Sequence, residues 1–181
     1  MRFQGVEYGN VLDASGVRNF GKKLYWYDYL YKILFWRRFS FKGMTLVTKT
    51  ATAHWRDGNM PFDEDYAPEE WFPQCIRVKF FRGAVLNSVG LSNPGLARLL
   101  GEWRHIHDPF FISIAAVGDN ATDRLSQFRT MLQMVKYQRA EISAPFGLQI
   151  NLSCPNTGDD QRETIGETER VLEIMSRLAV P

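Results

Sequence analysis

Four short apolar runs, each closing on polar or turn-forming residues and separated by stretches with helical spacing, constrain this chain more than any other feature. They occupy residues 44–50, 84–88, 110–117 and 146–151. Between and after them, three stripes recur at helical spacing. Leu96, Leu99, Leu100 and Trp103 form the first, Leu125, Phe128, Leu132 and Val135 the second, and Ile165, Leu172, Met175 and Leu178 the third. Asn93 as N-cap and Pro94 at the first helical position open the first of these helices. Strands alternating with helices give successive βα units and hence a parallel sheet. The run 110–117 is apolar but for Ser113, as a strand buried on both faces should be. Residues 3–12 alternate loosely and predict a short hairpin or strand pair. Residues 60–82 predict a long loop with Cys75 as a small apolar filler, and a loop of that length usually covers something.

With 181 residues, 45% hydrophobic and 23% charged, the chain can bury one sizeable core. A net charge of +2 without a long basic block argues against a nucleic-acid partner. The two cysteines, Cys75 and Cys154, lack metal-ligand spacing and define no disulfide framework, so a reducing, cytoplasmic setting is the expectation. Residues 1–20 contain no apolar run of signal-peptide type, and no window reaches 18 apolar residues. Residues 21–42 stand apart, because they hold nine aromatic side chains, seven of them between Lys22-Lys23 and Arg37-Arg38. Two readings stay open for them: a buried first helix with an aromatic extension, or a docking surface for a membrane or second protein.

The candidate chemistry lies at the ends of the apolar runs. The fourth run leads into Asn151-Leu152-Ser153-Cys154-Pro155-Asn156-Thr157-Gly158. Asn offers a donor and an acceptor suited to the edge of a planar heterocycle, and Cys becomes a base or nucleophile on losing its proton. The first run ends in Thr48-Lys49-Thr50, where a buried Lys needs a partner for its charge. Arg56, Gly58 and Asn59 follow. The second run ends in Asn87-Ser88-Val89-Gly90-Leu91, and Asp13-Ala14-Ser15-Gly16 supplies small residues that let backbone approach a flat ligand. His105 and His107 read as surface or cap residues, and His54 has no evident partner.

These motifs resemble the dihydroorotate dehydrogenase family. The resemblance runs from Ala14 to the end of the chain. It rests on the Asn-x-Ser-Cys-Pro-Asn run at 151–156, the Asn-Ser-x-Gly-Leu-x-Asn-Pro-Gly run at 87–95, the Arg-x-Gly-Asn loop at 56–59 and Ala14-Ser15-Gly16. Asp13 departs from the Asn common in the family. The resemblance implies a (β/α)₈ TIM-type barrel, with residues 1–181 holding about its first four βα units and an aromatic-rich helical insertion at 21–42. It also implies FMN as cofactor and oxidation of dihydroorotate to orotate. Cys154 would be the general base. Ala14, Ser15, Gly16, Lys49, Thr50 and Asn151 would meet the flavin, while Lys49, Asn87, Val89, Gly90, Leu91, Asn151 and Asn156 would hold the substrate. Cys at the base position resembles the soluble branch and Thr157-Gly158 the membrane-linked branch, which leaves the electron acceptor open. A half-barrel with bare strand edges would self-associate or take a completing C-terminal half, and would bind FMN poorly alone. The alternatives are a non-catalytic half-barrel or interaction module, and a related flavin-dependent pyrimidine oxidoreductase.

Overall fold

The computed structural model describes residues 2–22, 25–35, 40–152 and 166–178. β1 (Arg2–Phe3) and β2 (Val6–Glu7) pair antiparallel, the hairpin expected at the start of the chain. β3 (Val11–Leu12) enters a parallel sheet, α1 (Trp26–Phe35) follows, and β4 (Met44–Val47) returns beside β3. Next come β5 (Ile76–Lys79), β6 (Ala84–Asn87), α2 (Leu96–Glu102), β7 (Phe110–Ile114), α3 (Ala121–Gln138), β8 (Phe146–Ile150) and α4 (Thr168–Leu178). The four parallel strands stand in the order β3-β4-β7-β8 and curl into half of a barrel.

One expected strand lies elsewhere. Residues 84–87 do not join the parallel sheet; they pair antiparallel with β5, Val85 opposite Val78 and Asn87 opposite Ile76. The reason is local. Ile76-Arg77-Val78-Lys79 alternates with period two, and a tight turn through Gly83 (φ 58°) brings the second strand straight back. That nearby pairing wins over a distant one; β7 then pairs directly with β4, and β3 adds at the other edge of the sheet.

The core forms where the sheet meets the helices. Leu46, Phe110 and Phe146 stand in register across three strands. Behind them pack Leu96, Leu99, Leu100 and Trp103 of the α2 region and Phe128, Met131, Leu132 and Val135 of α3, all buried. Trp103 Nε1 donates to the Phe20 carbonyl at 2.8 Å, which satisfies its buried indole N–H. On the opposite face, Phe111 lies beside Gly147, where any Cβ would come within 2.6 Å of the ring. The space Gly147 leaves lets Phe111 reach Tyr8, with ring centroids 4.8 Å apart.

Other local expectations shift by a residue or a face. Asn120 caps α3 by accepting from Asp123 N at 3.0 Å. Asn93 is not the cap of α2, whose capping residue is Gly95; its Oδ1 accepts from Gly95 N (2.9 Å) and Thr52 N (3.1 Å), bracing two loops. In α4 the buried side chain is Val171, while Leu172 is exposed. The reading of α1 as a buried barrel helix fails: of its ten residues Asp28 alone is buried. Aromatic groups on every side leave no single stripe to bury.

Arg124 holds α3 to the start of α4. Its guanidinium meets Glu167 through Nε (3.1 Å) and Nη2 (2.5 Å), both side chains are buried, and Nη1 donates to Gly118 O at 3.2 Å. Arg124→Ala strands a buried carboxylate and should cost about 3–5 kcal/mol in urea denaturation. Replacing both partners with apolar residues of similar volume should recover most of that loss.

Candidate functional site

The backbone of β4 departs from regular pairing where the first candidate residues sit. Val47 pairs with Phe111 and Ala51 bridges Ile114, so residues 48–50 face one residue fewer on β7. That extra residue makes a bulge, a device that re-aims side chains beside sites. Thr48 N and Ala51 N still donate to β7 carbonyls, whereas Lys49 N turns away and donates to Asn19 O at 2.7 Å. The bulge therefore stitches the end of β4 to the loop that carries Ala14, Ser15 and Gly16.

Lys49 is the most unusual group there. Its side chain is 9% exposed, and its Nζ has no hydrogen-bond partner among the described residues. The ammonium lies 5.2 Å from the centroid of the Phe20 ring, which offers partial compensation. Gly16 (φ 88°) sits over its stem, where a Cβ would lie 3.6 Å from Lys49 Cγ. Burial pushes the Lys49 ammonium down to about 8, and interaction with Cys75 offsets this in part. The Cys75 thiol is raised, chiefly by its own burial. Cys75 lies half-buried at the root of the β5–β6 hairpin, within electrostatic reach of Lys49.

A second group of residues forms a polar chain across the strand ends. Ser15 Oγ donates to Thr48 O at 2.9 Å and lies 3.1 Å from Thr50 Oγ1. Thr50 Oγ1 lies 2.9 Å from Ser113 Oγ and accepts from Asn151 Nδ2 at 3.0 Å. Loop, bulge, β7 and the end of β8 thus converge on one buried hydroxyl. Ser113 had no signal in the sequence beyond one hydroxyl inside an apolar strand. Asn19, Phe20 and Tyr25, whose hydroxyl donates to Gly16 O at 3.1 Å, were also missed.

The remaining candidates fall into two sets. The turn 88–91 is laced to residues 56–59: Arg56 Nε donates to Gly90 O (2.7 Å), Asn59 N to Val89 O (2.9 Å) and Asn59 Nδ2 to Ser88 O (2.6 Å). Gly58 (φ 56°) is required there, because a Cβ would lie 2.2 Å from Ser92 Oγ. With the Val89 and Gly90 carbonyls taken, a ligand would meet the amide side of this turn. Asn87 belongs to the hairpin and not to a barrel strand, opposite Ile76 at the Cys75 end. Cys154 and Asn156 lie outside the described residues. Asp13, the departure from the resembling pattern, pairs with Arg18, whose guanidinium also lies 5.1 Å from the Phe41 ring centroid.

The Lys49 burden has a measurable signature. Between pH 8 and 10.5 the unfolded chain keeps a proton on Lys49 that the folded chain releases, so stability climbs with pH through that window. Lys49→Met removes the penalty. It should stabilise the protein by roughly 2–3 kcal/mol at pH 7, with the gain over wild type shrinking between pH 8 and 10.5 in denaturation curves.

No family model matches the chain. It is 32% identical over 114 residues to the catalytic subunit of dihydroorotate dehydrogenase B (NAD(+)) of Methanopyrus kandleri, covering 60% of this chain and 32% of that one. It is 27% identical over 154 residues to the same subunit of Petrotoga mobilis, covering 84% of this chain and 41% of that one. The chain thus spans about a third to two fifths of the length of the relatives it matches, and over that span it is similar to dihydroorotate dehydrogenase B catalytic subunits.

Proposed function

We propose that this chain carries the first four strands of an FMN-dependent dihydroorotate dehydrogenase, which oxidises dihydroorotate to orotate in pyrimidine synthesis. The observation that carries the reading is the buried, unpartnered ammonium of Lys49 under Gly16, at a bulge where loop and strand ends meet. A cation held this way fits a ligand that brings negative charge to it, as a carboxylated pyrimidine or a reduced flavin ring does. The relatives' names support the same reaction class.

The residues fit a flat cofactor. Gly16 and Ser15 present thin backbone beside Lys49, and the Thr50, Ser113 and Asn151 chain fixes the surrounding strand ends. FMN, when bound, supplies the ring that accepts the substrate's hydride. Cys154 is assigned the general base that takes the C5 proton of dihydroorotate onto its sulfur. Lys49 holds positive charge where negative charge accumulates. Asn87, Asn151 and Asn156, with the amides of Val89 to Leu91, are assigned to the pyrimidine edge. NAD(+), carried in the relatives' names, is the electron acceptor to test first.

Mixing dihydroorotate with the flavin-loaded complete barrel, of which this chain would form the first four strands, should bleach the flavin and yield orotate. Cys154→Ala should slow that bleaching by about 10²–10⁴-fold at neutral pH, with dihydroorotate affinity little changed. A variant that keeps the wild-type rate removes Cys154 as the base. Absence of any bleaching with dihydroorotate, alongside bleaching by another reduced pyrimidine, would shift the substrate and keep the flavin chemistry.

A further inference from the structure

We propose that Asn19 is a positioning residue: it fixes where Lys49 stands and ties that place to the loop 60–68. Asn19 is 1% exposed, and all but one of its polar atoms are engaged with the surroundings of Lys49. Its backbone N–H donates to Gly16 O at 3.0 Å and closes the turn that lays Gly16 over the Lys49 stem. Its carbonyl accepts from Lys49 N at 2.7 Å, the bond that replaces a strand-to-strand one at the bulge. Its Nδ2 donates to the Tyr66 carbonyl at 2.7 Å. The next residue, Phe20, carries the ring that faces the Lys49 ammonium, and that ring meets Tyr66 edge-on with centroids 5.8 Å apart.

The backbone shows that this arrangement is imposed on the chain. Asn19 stands at φ 52° and Tyr66 at φ 63°. These are left-handed values, which Asn tolerates better than most residues and a bulky side chain holds only when its surroundings over-determine it. Both ends of one hydrogen bond are therefore in a costly conformation. Tyr66 is held from its own side as well. Its N–H donates to Asp63 O at 2.9 Å, and Asp63 Oδ1 accepts from Asp65 N and Ala67 N, each at 2.9 Å. Phe62 bridges Pro68 across the base, so the loop is a closed unit that offers Asn19 a fixed carbonyl.

The side chain at position 19 is selected by its donor. Leu has a similar branched shape and Gly would relax the backbone, but neither can donate to Tyr66 O. Asp would set a carboxylate against that carbonyl. What the amide leaves over is Oδ1, which is buried and has no hydrogen-bond partner among the described residues. An unpaired buried acceptor is unfavourable, and a residue chosen for packing would avoid it. The ties to Lys49 and to the loop are what retain it. With its amide drawn to Asn19 and its stem under Gly16, Lys49 keeps its ammonium out of water, and Cys75 is the titratable neighbour that acts on it. The inference concerns the placing of this lysine and does not rest on the reaction proposed above.

The test is the titration of Lys49 in the full 181-residue chain, followed by NMR at the ε-carbon of labelled lysine, with the signal assigned by its loss in Lys49→Met. Asn19→Gly keeps the left-handed backbone and removes the bond to Tyr66 O. Water should then reach the ammonium, and its midpoint should move from about 8 toward 10.5. The rise should be about one pH unit or more. Asp63→Ala unlatches the loop and should shift the midpoint the same way by less. In the double variant the midpoint should match that of Asn19→Gly alone, because the loop has then lost its line to Lys49. A residue serving stability alone would lower the denaturation midpoint and leave the Lys49 titration unmoved. That result, in an Asn19→Gly chain with the wild-type circular dichroism spectrum, overturns the proposal. So does an Asp63→Ala shift that persists undiminished beside Asn19→Gly. If Asn19→Gly does not fold, Asp63→Ala decides alone: an upward shift sustains the proposal and an unmoved midpoint overturns it. The measurement needs no flavin, so its outcome stands apart from that of the bleaching experiment.

Discussion

An ammonium group buried without a hydrogen-bond partner is the constraint around which this molecule's organisation turns. Lys49 reaches that position because β4 carries one residue more than β7 can pair, and because the Asn19 carbonyl draws the Lys49 amide out of the sheet. Neither device follows from the apolar run itself. The fold must supply enough stability elsewhere to hold the cation out of water, and the packed faces of α2, α3 and the central strands are where it does so. A group maintained at that cost is informative about function, since burying Lys49 for packing alone would be served better by Met or Leu.

The sequence showed the fold where apolar patterning was long and local. The runs at 110–114 and 146–150 and the α2 and α3 stripes appear where expected, because the strands are largely apolar runs and each helix has one buried stripe. Misreadings cluster where two short-range solutions compete. Residues 84–87 look like a barrel strand by apolarity, yet a period-two partner lay a few residues upstream. Val171 displaced Leu172 because a short helix can rotate by one residue without altering its apolar count. For the site, Lys49, Thr50, Ser15, Gly16 and Asn151 could be found because polar residues at strand ends stand out. Ser113 and Phe20 could not, since a hydroxyl or a ring inside an apolar context reads as ordinary core.

Net charge illustrates how an average can conceal a pattern. The value of +2 for the whole chain argues against a polyanionic partner, but nine of its 22 Lys and Arg lie in residues 22–42 and 76–87, which hold one of its 20 acidic residues.

The lacing of residues 56–59 onto the turn at 88–91 has a further consequence. Arg56, Asn59 and Gly58 are chosen by carbonyls and a hydroxyl that belong to the other segment, so neither stretch can be redesigned or exchanged alone. For an engineer grafting new ligand preference onto this scaffold, the unit of transplantation is both segments together, in matched pairs. Directed libraries that diversify one side would mostly sample broken seams.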